Sequence, residues 1–195
     1  LETASGIKIL QLHLNTNKQQ VDSVTVDMLE PKLDVPAQYT GVAPDLSEFH
    51  LPLIKDASVH PTFVSMGNPH FVIFLDKEQI KDTNMLISDA ELTEFGHSLE
   101  HNTAFPERCN IEFACLIADN HLRTRVWERG SGITMACGTG SCATATAAIL
   151  NGLADRSKPV EIEMDGGTLS VEWRKDNHIY MSGPAAFVYE GKIDL

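Results

Sequence analysis

Glu128-Arg129-Gly130-Ser131-Gly132-Ile133-Thr134-Met135-Ala136-Cys137-Gly138-Thr139-Gly140-Ser141-Cys142 runs straight into Ala143-Thr144-Ala145-Thr146-Ala147-Ala148-Ile149-Leu150. The second half of this stretch predicts a helix over Thr139 to Leu150, which Gly152 is placed to stop just after Asn151. Ala and Thr side chains are small, so such a helix can be approached closely from every side. It suits the middle of a curved sheet better than a solvated surface. The segments around it read as strands: Asn110 to Ala118 and Leu122 to Trp127 about Asp119-Asn120, then Val160 to Met164 and Leu169 to Trp173 about Asp165-Gly166-Gly167, then Ile179 to Met181. The expected fold is α+β, a mostly antiparallel sheet curled around one central helix.

Working outward, His70 to Leu75 is a continuous apolar strand, and Ser88-Asp89-Ala90-Glu91 has the form of a capping box ahead of Leu92, Phe95 and Leu99. Ile7 to Asn15 and Val21 to Met28 read as a hairpin joined by a polar turn, Asn15-Thr16-Asn17-Lys18. From Glu30 to Pro61 the chain carries Pro31, Pro36, Pro44, Pro52 and Pro61 with little periodicity, which reads as a connector. The expected division is a hairpin and connector over 1–61, a complete domain over 62–185, and a final strand over 186–195.

With 27 acidic and 15 basic residues the chain has a formal charge of -12, so it lacks the basic face that nucleic acid or an anionic membrane requires. A small molecule is the expected partner. No apolar run approaches the length that spans a bilayer. Cys109, Cys115, Cys137 and Cys142 show no C-x-x-C pair or disulfide framework, which favours a reducing compartment, the cytoplasm. The eight histidines include no H-x-H or H-E-x-x-H pair, so no metal is expected.

Chemistry concentrates at Cys137. Glycines at 130, 132, 138 and 140 let the backbone turn tightly and approach a ligand, and the helix start aims its free N–H groups back at the thiol. The positive end of the helix is expected to lower the thiol's pKa toward neutrality and to hold a carboxylate. A thiolate beside a bound carboxylate can act as a base at the adjacent carbon. Most cysteines are small buried hydrophobes, and Cys109, Cys115 and Cys142 are assigned to that class. A dinucleotide fingerprint does not fit, because the G-x-G-x-x-G spacing and a following βαβ unit are both lacking.

Three motifs occur in order: Ser65-Met66-Gly67-Asn68-Pro69-His70, then Phe105-Pro106-Glu107-Arg108-Cys109-Asn110-Ile111-Glu112-Phe113, then Glu128-Arg129-Gly130 with Ala136-Cys137-Gly138-Thr139-Gly140. Together they resemble the diaminopimelate epimerases. The resemblance implies a cofactor-independent enzyme in which Cys137 is one of two opposed acid–base thiols, the proton acceptor. Gly138 and Thr139 would bind a substrate carboxylate, Asn68, Asn110, Glu128 and Arg129 would contact the substrate, and His70 with Glu128 would tune the thiols. A 2,6-diamino dicarboxylate matches this set, with carboxylates for Arg129 and the helix end, and ammonium groups for Glu128 and the Asn oxygens. The bland readings are an Asn68 turn cap and a surface ion pair between Glu128 and Arg129.

The chain departs from the family at Ile133, where Glu is common, and it holds no second Cys-Gly-Asn-Gly motif. Inversion without a cofactor needs a base on one face of the α-carbon and an acid on the other. The resemblance therefore implies the C-terminal portion of a two-domain, homodimeric enzyme of lysine and peptidoglycan-precursor synthesis. On its own the chain is expected to be inactive, its partner being the missing N-terminal half. Two alternatives stand beside this reading: a related amino-acid racemase of the proline racemase kind, and a non-catalytic module that binds a dicarboxylate.

Overall fold

A computed structural model describes residues 1–3, 6–16 and 20–193. In chain order the elements are β1 Glu2–Thr3, β2 Gly6–Ile7, β3 Leu10–Leu14, β4 Val21–Asp27, β5 Thr62–Ser65, β6 Pro69–Phe74, α1 Asp89–Glu100, β7 Asn110–Ala118, β8 His121–Glu128, β9 Gly132–Ile133, α2 Gly138–Leu150, β10 Val160–Met164, β11 Gly167–Trp173 and β12 Ile179–Pro184. Apart from the β1–β2 pair they form one sheet of ten strands in the order β3-β4-β12-β11-β10-β8-β7-β6-β5, with β9 hydrogen-bonded to β8. Pairing is antiparallel except at β6/β7 and β8/β10. This is the α+β fold expected.

Alternation along the central strands divides the interior in two. Val72, Phe74, Ala114, Leu122, Val126, Ile162 and Val171 face α2, whose Cys142, Ala143, Ala145, Ala147 and Ala148 are fully buried. Phe71, Ile73, Ile111, Phe113 and Cys115 face the other way, onto α1 through Leu92 and Leu99. Small side chains let the sheet close around α2 on several sides, while α1 shields the outer face. The Ser88 hydroxyl accepts from Glu91 N–H and the Glu91 carboxylate accepts from Ser88 N–H, so the capping box starts α1 as the sequence indicated.

Several elements differ from expectation. The strand read over Ile7 to Asn15 is interrupted at Lys8-Ile9, because Ile7 pairs with Glu2 while Leu10 onward pairs with β4. The polar turn after it lies partly outside the described residues. β4 continues the sheet through β12, Val26 opposite Met181 and Thr25 opposite Ser182. Thr62–Ser65 is an unforeseen strand, paired with β6. The connector packs on the outer face, where Tyr39 stacks on Phe63 with ring centroids 4.8 Å apart. Residues 185–193 form no strand, and Phe187, Val188, Tyr189 and Ile193 are exposed. Among the described residues no helix is long and apolar enough to cross a membrane.

Candidate active site

Cys137 is the N-cap of α2. Its backbone is extended, and its Sγ accepts from Gly140 N–H at 3.3 Å while its carbonyl accepts from Ser141 N–H at 2.8 Å. The Cys137 N–H donates to Met164 Sδ at 3.2 Å, which anchors the loop to β10. Gly166 N–H donates to Met135 O at 2.6 Å, fixing the preceding turn of chain in the same way. The thiol is held by the helix start below and the β10–β11 turn beside it.

Asn68 approaches from the β5–β6 hairpin, whose turn uses Gly67 at φ +98°. Its Nδ2 donates to Thr139 Oγ1 at 3.2 Å, and Thr139 Oγ1 lies 3.6 Å from Cys137 Sγ. On the other side Asn68 Oδ1 lies 3.2 Å from His70 Nε2, and His70 Nδ1 lies 2.6 Å from Glu112 Oε1. The parallel β6/β7 register, His70 beside Asn110 and Val72 beside Glu112, puts all these side chains on the α2 face. The result is one connected path, Glu112–His70–Asn68–Thr139–Cys137.

Asn110 ties this path to the Glu-Arg-Gly turn. Its Nδ2 donates to Pro69 O at 2.7 Å and its Oδ1 accepts from Arg129 N–H at 2.9 Å, so in this form its amide serves the protein on both sides. Glu128 Oε1 accepts from the Thr134 hydroxyl at 2.6 Å, and Arg129 Nη1 donates to Glu107 O at 2.9 Å. The two neighbours therefore turn to different partners. Of the residues singled out in the sequence, His70, Asn68, Thr139 and Cys137 are linked in series, each touching the next, while the Glu128 and Arg129 side chains turn away to Thr134 and Glu107.

The state of the thiol corrects an expectation. Burial pushes the Cys137 thiol up to about 12, and the nearby Glu112 carboxylate adds to the rise. The hydrogen bonds from Thr139 and Gly140 act in the opposite direction but do not outweigh it. With Cys137 only 8% exposed, desolvation of the anion exceeds what the helix start returns. Cys137 is a thiol, not a thiolate, at neutral pH in this form. Cys109, Cys115 and Cys142 are also buried, and burial raises all three.

Two participants escaped the sequence reading. Glu112 had a visible signal, a carboxylate in the apolar run Ile111 to Ala114, and it is fully buried. Met164 had none, because a thioether accepting a backbone N–H looks like any core methionine. Among the described residues no three His, Cys, Asp or Glu side chains are grouped to hold a metal ion. An open concavity of about 1050 Å³ around Arg156, Trp173 and Arg174 contains none of the residues above. Within it Arg156 pairs with Asn177 and Arg174 with Glu172, and no cysteine lines it.

The family described as Diaminopimelate epimerase matches residues 62–188. Diaminopimelate epimerase of Phocaeicola vulgatus is 48% identical, covering 100% of this chain and 65% of that protein. Its namesake from Bacteroides thetaiotaomicron is 44% identical, with 100% and 63% covered, and that of Leptospira biflexa is 40% identical, with 100% and 66% covered. The chain thus spans just under two thirds of the length of these relatives. Among solved structures, a phenazine biosynthesis protein of the PhzF family from Bacillus anthracis aligns with a TM-score of 0.57 at 17% identity, covering 98% of this chain and 67% of that one. A probable proline racemase from Agrobacterium radiobacter aligns at 0.56 and 15%, covering 100% and 59%. These distant likenesses establish the fold alone. By its sequence match over most of its length, the chain belongs to the diaminopimelate epimerase family.

Proposed function

We propose that the full-length protein interconverts LL- and meso-diaminopimelate without a cofactor, with Cys137 as one of two opposed acid–base thiols. The observation that carries this reading is the chain of contacts from His70 through Asn68 and Thr139 to Cys137 at the start of α2. Gly138 and Thr139 belong to the first turn, whose N–H groups lack helical partners and suit a carboxylate. Arg129 offers a second carboxylate site, and Glu128 an ammonium site.

In one direction the Cys137 thiolate removes the α-proton, the C–H electron pair passing to the carbanion beside the carboxylate, and a second thiol protonates the opposite face. Cys137 then carries the proton and the second thiol is the anion, so the reverse direction starts from that state. Burial favours the protonated Cys137, the state from which it donates in the reverse direction. The second thiol belongs, in this proposal, to an N-terminal half that completes the length of the relatives. Hence the 195-residue chain alone is inactive. Its first hairpin and connector, 1–61, and its last residues, 186–195, join that half, while 62–185 carry the site. A cytoplasmic homodimer acting in lysine and peptidoglycan-precursor synthesis completes the reading, and four unpaired thiols support a reducing compartment.

The test is exchange in deuterated water with the full-length protein. Deuterium is expected at the α-carbon of diaminopimelate and not of proline, and Cys137→Ala is expected to abolish interconversion of the isomers and to diminish the exchange. Exchange undiminished in Cys137→Ala would sink the assignment. The buried, protonated thiol favours a second description for the isolated chain, a dicarboxylate-binding module without turnover. Calorimetry with diaminopimelate on this chain tests it, and no heat of binding refutes it.

A further inference from the structure

Glu100 is a buried carboxylate that the chemistry above does not use. It is the last residue of α1 and only 3% exposed. Its two oxygens are nonetheless fully engaged. Oε1 accepts from Gly130 N–H at 3.0 Å, and Oε2 accepts from Trp127 Nε1–H at 2.7 Å. Arg108 Nη1 adds a partial counter-charge, 3.7 Å from Oε1.

The contact lies behind the turn that presents Glu128 and Arg129. That turn closes with Ser131 N–H donating to Glu128 O at 3.0 Å and takes Gly130 through φ +77°. Its consecutive amides are pinned from two sides, Arg129 N–H by Asn110 and Gly130 N–H by Glu100. The helix behind it leaves no slack, since a Cβ on Gly96 would stand 2.4 Å from Trp127 Cβ. We infer that Glu100 is a positioning residue for substrate binding, holding the Glu128–Arg129 turn through the Gly130 amide. The inference rests on the reading of Glu128 and Arg129 as substrate contacts.

The test is Glu100→Gln in the full-length protein. An amide has one acceptor oxygen for two donors, so its NH2 must face either Gly130 N–H or the indole N–H. The turn is expected to loosen, raising KM for diaminopimelate about tenfold while kcat stays within about threefold. Adding Trp127→Phe removes the indole donor and frees the amide oxygen for Gly130. KM in Glu100→Gln/Trp127→Phe should then return to within about threefold of Trp127→Phe alone. Hydrogen exchange at the Gly130 amide should quicken about tenfold in Glu100→Gln and slow again in the double variant, whatever the substrate proves to be. An unchanged KM in Glu100→Gln, or no recovery in the double variant, overturns the inference. Should the single variant fail to fold, the double variant compared with Trp127→Phe carries the test at the same threshold. Failure of the wild type to exchange diaminopimelate protons counts against the proposed function instead, and the Gly130 exchange then decides the positioning alone.

Discussion

Glu112 Oε1 and His70 Nδ1 lie 2.6 Å apart, and both side chains are withdrawn from solvent. Two lone pairs cannot face each other at that distance, so a proton lies between them, and each group depends on the other for it. Glu112→Ala leaves the imidazole buried without its partner and should lower the unfolding free energy by about 3–5 kcal/mol, read from urea midpoints followed by circular dichroism. His70→Leu with Glu112→Leu removes both polar groups and should recover most of that loss. A cost below about 1 kcal/mol for Glu112→Ala would show that the pair is not held as described.

The same carboxylate bears on Cys137. With the thiol raised to about 12, its anion is scarce at pH 8, and iodoacetamide should modify Cys137 at least about a hundredfold more slowly than an exposed cysteine. Glu112→Gln removes a charge that raises the thiol and should quicken the reaction. Thr139→Val removes a hydrogen bond that lowers it and should slow the reaction further. Mass spectrometry of the modified chain reads both. Equal rates in the two variants would refute the electrostatic account.

Gly140 provides a case where local preference and packing disagree. Replacing an interior helical glycine with Ala ordinarily stabilises by up to about 1 kcal/mol. Here a Cβ would stand 2.8 Å from Glu112 Oε1 and 3.2 Å from Cys137 Sγ. Gly140→Ala should therefore destabilise by about 1–3 kcal/mol in thermal unfolding. Gly138→Ala meets only the flexible end of Met181, at 3.3 Å, and should cost less. The reverse order would contradict the packing around the thiol.

The contrast between these glycines marks what was legible in the sequence. Local chemistry was: Ser88 and Glu91 cap α1, Asp119-Asn120 and Asp165-Gly166 turn the hairpins, and the Ala-rich run forms the central helix. The motifs also marked residues that the fold brings together, since His70, Asn68, Thr139 and Cys137 are linked in series and Asn110 bonds the backbone at Pro69 and Arg129. Quantities set by the tertiary environment were not. The helix start at Cys137 predicts a lowered thiol, but the burial that reverses it comes from sheet closure. β4 joining β12 depends on partners about 155 residues apart, for which alternation within either strand carries no sign.

That junction has its own pH signature. His178 Nδ1 on the approach to β12 lies 3.0 Å from both Asp27 carboxylate oxygens at the end of β4. The hydrogen bond to Asp27 raises the imidazole above its usual value of 6.5, favouring the cation in the folded chain. The stabilisation is thus fully present below about pH 6.5 and is lost as pH rises through the higher folded value. The His178 ring resonances should titrate above the usual histidine range in the wild type and return toward it in Asp27→Asn. Amide exchange in Val24 and Val26 should quicken on raising the pH beyond the His178 midpoint, after correction for intrinsic rates. An Asp27→Asn variant with an unchanged His178 midpoint would break the link between this ion pair and the attachment of the first hairpin.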